Sequence, residues 1–207
     1  MARFVFVPGA WHGAWCFSEL VRELEARGHA ATGVDLPCDQ PGLTQHDYAQ
    51  LIGPQPDAIV VGHSLAGQTI PHVAARTRVY LAGLLPVAGA YANAFVDGFG
   101  GFVRDELDRS YWPTADLCAE FMYPDCTRET SDWAFARLRP QGRILEEAAD
   151  FGEGDVVIAT LRDAAIKATW QIATGHAYGA RVIELDAGHS PFFTQPGELA
   201  ELLAALA

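Results

Sequence analysis

The chain has 207 residues and a mass of 22.4 kDa, which suits one domain with room for an inserted subdomain. Half of its residues are apolar and 19% are charged, so the composition excludes intrinsic disorder. The formal net charge of −12 makes binding to the phosphate backbone of a nucleic acid unfavourable, and we expect no nucleic-acid partner.

The sequence shows no signal for secretion or for membrane insertion. The apolar run at residues 4–7 ends at Pro8 and Gly9 and is too short for the core of a signal peptide. No stretch approaches the roughly 18 uncharged apolar residues that a membrane helix requires. The four cysteines form no CxxC pair and are interpreted as free thiols. We therefore expect a cytoplasmic protein that does not bind membranes.

Short apolar runs alternate with segments of helical spacing along the chain. An unbroken apolar run predicts a strand that is buried on both faces, and apolar residues at every third or fourth position predict a helix. Gly28 follows the first predicted helix, where a helix-ending glycine is expected. In chain order, the predicted elements are a strand over 4–7, a helix over 16–27, a strand over 30–36, a strand over 58–61, a helix over 65–75, strands over 79–82, 156–159 and 182–185, and a helix over 196–206.

This alternation predicts right-handed crossovers and a mostly parallel sheet of about six strands with helices on both faces. The segment 89–154 interrupts the pattern, because it is rich in aromatic residues and has few strand signals. A structureless loop of that length is implausible. We predict a core of residues 1–88 and 155–207 and a small, mostly helical cap over 89–154. The acidic pairs at 105–106 and 146–147 are interpreted as solvated helix faces.

The sharpest local signal is the sequence GHSLAG at residues 62–67, between a predicted strand and a predicted helix. A serine at such a turn is held in a strained conformation with its hydroxyl above the sheet. Gly62 supplies one of the small residues that this turn requires, and Ala66 stands where the G-x-S-x-G pattern has its second glycine. Ser64 is therefore the predicted nucleophile. The alternative is an ordinary strand–helix turn with a serine cap.

A serine nucleophile requires a base and a carboxylate that orients it. His189 follows the last predicted strand, so it lies at the same edge of a parallel sheet as Ser64. Asp163 follows the preceding strand, and the order Ser64, Asp163, His189 is the one expected for a triad of this kind. Asp186 and Asp35 also end strands and remain alternatives, although Asp186 lies only three residues before His189. We favour Asp163.

The loop after the first predicted strand also reaches this edge. Gly9 allows the backbone to pass close to a ligand, and the backbone N–H groups of Ala10 and Leu65 are the predicted donors of an oxyanion hole, each worth about 3–4 kcal/mol of the barrier. The aromatic residues Trp11, Trp112 and Phe121 are candidates for the substrate pocket. For Trp11, a role in core packing is equally open.

These motifs resemble those of the α/β-hydrolases, and more narrowly the group of plant methyl esterases, hydroxynitrile lyases and their bacterial relatives. The likeness is carried by GAWHGAW at 9–15, GHSLAG at 62–67, LRD at 161–163 and GHSPF at 188–192. It extends over nearly the whole chain in order and spacing. The resemblance implies an α/β-hydrolase fold and a shortened form of the family's cap at 89–154. It also implies the roles of nucleophile, general base, orienting acid and oxyanion donors for Ser64, His189, Asp163, and Ala10 with Leu65, respectively.

The chain departs from this group at three positions. Pro8 stands where these proteins usually have histidine; proline lacks an N–H, but Ala10 keeps its donor. The lyases of the group carry threonine at position 9 and lysine after the catalytic histidine, where this chain has Gly9 and Ser190. Because cyanohydrin cleavage needs a positive group near the leaving cyanide, these differences favour hydrolysis.

We therefore predict a serine carboxylesterase that cleaves a small or medium apolar ester through an acyl-enzyme and needs no cofactor. The sequence has no HExxH motif and no close cluster of histidine and cysteine, so no metal is expected. Two alternatives stay open. One is a biosynthetic enzyme that uses the same serine for acyl transfer, lactone opening or cyclisation, and the other is a receptor-like protein that binds a ligand on this fold. No feature predicts the oligomeric state.

Overall fold

The fold is built on a sheet of parallel strands, seen in a computed structural model that describes residues 1–87, 91–144 and 149–207. The strands of the chain are β1 (Arg3–Val7), β2 (Ala30–Gly33), β3 (Gln55–His63), β4 (Ala75–Leu81), β5 (Val103–Arg104), β6 (Ser110–Tyr111), β7 (Val156–Thr160) and β8 (Arg181–Leu185). Six of them form the main sheet in the order β2-β1-β3-β4-β7-β8, and every pair in it is parallel. The predicted α/β architecture with crossover connections is therefore confirmed.

Both faces of this sheet are buried beneath helices. In β1, Phe4 and Phe6 enter one apolar layer, and Val5 and Val7 enter the other. This alternation follows from the two-residue period of a strand and explains why the strands read as unbroken apolar runs. The helices are α1 (Ser18–Ala26), α2 (Gln45–Ile52), α3 (Ala115–Met122), α4 (Arg128–Phe135), α5 (Ala168–Ala177), α6 (Pro191–Thr194) and α7 (Pro196–Ala204). α1 and α7 cover the first layer, and α2 and α5 cover the second.

Helix α1 ends as its sequence predicts. Gly28 has a φ of 79°, a conformation that strains a residue with a side chain. Its N–H donates to the carbonyl of Glu25 at 2.9 Å, and the N–H of His29 donates to the carbonyl of Leu24 at 3.1 Å. These two bonds form a Schellman motif and satisfy carbonyl groups at the end of the helix.

The prediction of a helix over residues 65–75 is wrong. The chain forms two short 3₁₀ turns there, Ser64–Gln68 and Ile70–His72, and β4 begins at Ala75. Pro71 cannot donate a backbone hydrogen bond, and its ring clashes with the preceding turn of a helix. The serine turn is therefore followed by tight turns and not by a long helix.

Three helices outside the inserted segment were not predicted: α2, α5 and the short α6. Helix α2 begins with a capping box, in which the N–H of Asp47 donates to Thr44 Oγ1 at 3.1 Å and the N–H of Thr44 donates to Asp47 Oδ2 at 2.8 Å. The spacing of threonine and aspartate was the available sequence signal. Helix α5 has no side-chain cap at its start, so its first residue carries no such signal.

The segment between β4 and β7 holds the helices α3 and α4 and a two-stranded antiparallel ribbon, β5–β6, which was not predicted. The interpretation of Asp105 and Glu106 as a helix face is wrong, because they lie in the turn of this ribbon. The boundary predicted at 88–89 and the acidic pair at 146–147 lie outside the described residues. None of the helices in the described ranges has the length and apolar character needed to span a bilayer.

Candidate active site

Four loops meet at the carboxyl edge of the main sheet, where α/β proteins commonly bind ligands. The loop after β1 carries Ala10, and the turn after β3 carries Ser64. The loops after β7 and β8 carry Asp163 and His189. The parallel topology thus brings side chains from distant parts of the sequence to one place.

Ser64 lies at a strained turn. Its φ of 51° falls in the left-handed region, which is uncommon for a residue with a side chain. Neighbouring backbone lies very close to it, since a Cβ placed on Gly9 would come within 2.9 Å of the Cβ of Ser64, and one on Gly62 would come within 3.0 Å of the carbonyl oxygen of Ala66. The turn directs the serine hydroxyl out above the sheet, as in a nucleophile elbow.

His189 lies between Ser64 and Asp163. Its Nε2 is 3.1 Å from Ser64 Oγ, and its Nδ1 is 3.0 and 2.9 Å from the two carboxylate oxygens of Asp163. A carboxylate accepts hydrogen bonds only, so Nδ1 carries the proton and donates. Nε2 is then free to accept from the serine hydroxyl, which is the arrangement that a general base requires.

The carboxylate of Asp163 is fully satisfied by protein donors. The backbone N–H groups of Ala165 and Ile166 donate to Oδ1 at 2.8 and 2.9 Å. Thr160 Oγ1 and Gln171 Nε2 donate to Oδ2 at 2.9 and 3.2 Å. These bonds hold the carboxylate in one orientation toward the imidazole without solvent.

The two rival carboxylates lie elsewhere. Asp186 has a side chain 71% exposed and forms an ion pair with Arg162 at 3.0 Å. Asp35 has a side chain 69% exposed and accepts from the N–H of Ala14 at 2.8 Å. Neither forms a hydrogen bond with His189 in the described part of the chain.

His63 supports the backbone of the residue that carries the base. Its Nε2–H donates to the backbone carbonyl of His189 at 2.9 Å. Burial is the main cause that lowers the pKa of His63 well below its ordinary value, so the ring is neutral. Its Nδ1 has no hydrogen-bond partner among the described residues.

His12 supports the backbone of the loop after β1 in a similar way. Its Nδ1–H donates to the carbonyl of Ala10 at 2.8 Å, and its Nε2 accepts from the hydroxyl of Tyr123 at 2.8 Å. Burial lowers the pKa of His12 to about 4, which keeps this ring neutral as well. Sequence analysis missed the contact with Tyr123, because 111 residues separate the two positions and no local pattern marks either as a partner.

The N–H of Ala10 makes no hydrogen bond to any described residue. Ala10 and Leu65 both line the same cavity as Ser64. The neighbouring Trp11 has a φ of 66°, and its indole N–H donates to the carbonyl of Ser110 at 3.0 Å. The loop is therefore tied to the inserted segment, and the amide of Ala10 is left for a ligand.

The cavity at Ser64 has a volume of about 240 Å³. Trp11 lines it, but Trp112 and Phe121 do not: both are buried behind Phe99, with ring centroids 6.2 and 5.5 Å from that ring. Sequence analysis did not single out most of the wall. Besides Ala10, Trp11, Ser64 and Leu65, the lining consists of Leu84, Phe95, Phe99, Phe102, Arg104, Ser110, Gln141, Gly142, Arg143, Ile144 and Ile166.

The model of the alpha/beta hydrolase family matches residues 4–202 of this chain. The chain is an α/β hydrolase. The carbendazim hydrolyzing esterase of Nocardioides sp. (strain SG-4G) is 28% identical over 243 aligned positions, which cover 100% of each chain. The probable esterase PIR7A of Oryza sativa subsp. indica is 26% identical, covering 99% of this chain and 96% of the relative. The crystal structure of the methylesterase MES16 from Arabidopsis superimposes with a TM-score of 0.79 at 24% identity, covering 100% and 98%.

The similarity to these relatives supports an enzyme with an esterase-type function. The superposition on the methylesterase structure shows the fold. The alignment with the Nocardioides esterase has 243 positions, whereas this hydrolase contributes 207 residues. The relative therefore carries residues at no fewer than 36 positions where this chain has none.

No group of three or more histidine, cysteine, aspartate or glutamate side chains is placed to hold a metal ion in the ranges that the structure describes. Two further depressions of the hydrolase, each of about 380 Å³, lie around residues 71–78 and 46–54. Neither contains Ser64, His189 or Asp163. The chemistry of the enzyme is therefore best sought in the smaller cavity.

Proposed function

We propose that this hydrolase is a serine carboxylesterase that cleaves a small or medium apolar ester through an acyl-enzyme. Ser64 would be the nucleophile, His189 the general base and Asp163 the carboxylate that orients it. The observation that supports this most directly is the line of hydrogen bonds from Ser64 Oγ through the imidazole of His189 to Asp163.

In the first half of the reaction, Ser64 Oγ attacks the carbonyl carbon of the ester while His189 Nε2 takes the hydroxyl proton. The imidazolium that forms is stabilised by the carboxylate of Asp163. The negative charge that develops on the carbonyl oxygen is stabilised by the N–H groups of Ala10 and Leu65. When the intermediate collapses, the ester C–O bond breaks and His189 gives its proton to the departing alcohol.

In the second half, a water molecule attacks the acyl-enzyme, and His189 takes one of its protons. The bond between Ser64 Oγ and the acyl carbon then breaks, the proton returns to the serine, and the carboxylic acid leaves. The same base thus serves both halves, and no cofactor takes part.

The substrate class follows from the wall of the cavity. Aromatic and aliphatic side chains dominate it, including Phe95, Phe99 and Phe102. Such a wall binds an apolar group and excludes water from the reacting centre. These three residues belong to the segment 89–154, which we propose serves as the cap.

The test combines a fluorophosphonate probe with a series of p-nitrophenyl esters of increasing acyl length. We expect the probe to label Ser64 in the native chain, and we expect S64A to lose both labelling and at least about 10⁴-fold in kcat. S18A is the matched control, because Ser18 lies in α1 outside the cavity; it should keep both signals.

Three outcomes would contradict the proposal. Labelling that persists in S64A would show that another residue is the nucleophile. Strong labelling without ester turnover would favour transfer of the acyl group to an acceptor other than water, or lactone opening or cyclisation. The absence of both labelling and turnover would favour a protein that only binds its ligand.

A further inference from the structure

We propose that the preferred ester of this enzyme carries a carboxylate at a distance from its scissile bond, and that Arg104 and Arg143 bind it. This inference rests on the proposed esterase function and adds the class of substrate. It concerns the cavity at Ser64, whose charged residues play no part in the mechanism above.

The charge of the described part of the cavity wall opposes that of the whole chain. Acidic residues outnumber lysine and arginine by 26 to 14 in the sequence. Yet Arg104 and Arg143 are the charged residues of the described cavity lining, and no aspartate or glutamate accompanies them there. A catalytic cleft of positive sign attracts an anionic substrate.

Both arginines contact a single carboxylate. Arg104 Nη1 donates to the backbone carbonyl of Asp108 at 2.7 Å and to its Oδ1 at 3.1 Å. Arg143 Nη1 is 3.8 Å from Asp108 Oδ2. Asp108 does not line the cavity, so it holds the two guanidinium groups near each other from outside and balances only one of their charges.

The other acidic residues of the ribbon turn do not neutralise this pair. Asp105 accepts from Arg109 Nε at 2.8 Å, and Glu106 is exposed and outside the cavity lining. The side chains of Arg104 and Arg143 are 44% and 68% exposed. Each guanidinium has five N–H donors, so donors remain for a ligand on both.

The cavity therefore has three regions of different chemistry. Ser64 with the amides of Ala10 and Leu65 receives the ester, aromatic rings contact an apolar middle section, and the arginines offer paired donors. A planar guanidinium matches the two oxygens of a carboxylate. An ester that carries a free carboxylate on its acyl or its alcohol part, beyond an aliphatic or aromatic section, satisfies all three regions.

The experiment compares esters that differ in one charged group. One series pairs p-nitrophenyl half-esters of linear dicarboxylic acids, from six to eight carbons as chosen lengths, with the p-nitrophenyl esters of the unbranched monocarboxylic acids of equal length. A second series pairs 4-carboxyphenyl acetate with 4-methylphenyl acetate, so that the charge lies on the alcohol. We expect a higher kcat/KM for the anionic member in at least one series, and we expect added salt to reduce the difference.

The double variant R104Q/R143Q tests the residues. We expect it to reduce the ratio of kcat/KM for the anionic ester to kcat/KM for the neutral ester by about tenfold or more, since hydrogen bonds to a charged group are lost. The control R22Q/R181Q removes the same charge from α1 and from the start of β8, away from the cavity, and should change neither ester. D108N, which removes the negative charge that pairs with both guanidinium groups, should increase the preference for the anion.

Equal rates for charged and neutral esters in both series would overturn the inference while leaving the esterase function intact. So would a preference that survives in R104Q/R143Q or that falls equally in the control. Failure of the esterase function itself has a different signature: no ester in either series would be hydrolysed, and the probe would not label Ser64.

Discussion

At the scale of single residues, the candidate acids Asp163 and Asp186 differ in their surroundings more than in their sequence context. Both follow a strand at the same edge of the sheet, yet Asp163 is bound by four protein donors and contacts His189. Asp186 is largely exposed and pairs with Arg162. Only a carboxylate held in a fixed orientation selects the imidazole tautomer that leaves Nε2 free to accept a proton.

This difference predicts the effect of replacing each acid with its amide. We expect D163N to lower kcat by about 10³- to 10⁴-fold, because an amide favours the wrong tautomer and does not stabilise the imidazolium. D186N is the matched control and should change kcat less than about threefold, as expected for an exposed ion pair. The measurement is kcat for a p-nitrophenyl ester, with circular dichroism to verify folding. A larger loss in D186N would assign the acid to position 186.

At the scale of elements, the loop that carries His189 is anchored by the connection between α3 and α4. Asp125 Oδ2 accepts from the backbone N–H of Gly188 at 2.7 Å and lies 3.5 Å from Arg162 Nη2. One carboxylate of the inserted segment thus contacts the residues that directly precede the base and the acid. The N–H of Arg162 also donates to the carbonyl of Ala187 at 2.9 Å, so a hydrogen bond joins the loops after β7 and β8 directly.

Asp125 is therefore expected to act as a positioning residue. We predict that D125A lowers kcat by about tenfold, because a partly buried N–H loses its acceptor, while KM changes little. D125N keeps an acceptor oxygen and should restore most of kcat. The control D132A removes an exposed aspartate of α4 that pairs with Arg128.

A loss of kcat in D125A that D125N does not restore would contradict this role and would indicate a need for the charge. Equal loss in D132A would point to a general effect on the insert. Thermal unfolding of all three variants separates either result from loss of the fold.

At the scale of the whole molecule, neutral histidines buried beneath the active site couple stability to pH. His12 and His63 are both fully buried, and burial lowers the pKa of each. In the unfolded chain, a histidine titrates near its ordinary value of about 6.5. Between that value and the folded pKa of His12, about 4, the unfolded chain binds more protons than the folded one, so acid favours unfolding.

The free energy of unfolding should thus be fully retained above about pH 6.5 and fall as the pH decreases toward 4. For His12 alone, the loss between pH 7 and pH 5 amounts to about 2 kcal/mol. We predict that H12Q, in which the side chain no longer titrates, shows a decrease smaller by about that amount. Urea unfolding at the two pH values measures both decreases. The same decrease in H12Q and in the native chain would show that another group is responsible.

The apolar pattern of the sequence predicted the main features of the core. Short apolar runs, four of them unbroken, predicted six strands, and all six occur within a few residues of their predicted bounds. Local rules failed where competing signals met, as at residues 65–75, where Pro71 interrupts a spacing that otherwise favours a helix. They also missed α5, whose start carries no capping side chain.

Local sequence patterns were enough to predict which residues stand at the ends of the parallel strands, because an apolar run and the residue that follows it are neighbours in the chain. Ser64, Asp163 and His189 could be proposed together because each follows a strand at the same edge and their chain order is that of a triad. The orientation of these side chains and the groups that support them depend on contacts across the fold: Tyr123 with His12, Asp125 with the loop of His189, and the phenylalanines and arginines around the cavity. These contacts join positions far apart in the chain, and they depend on the packing of the inserted segment, which no short-range pattern encodes.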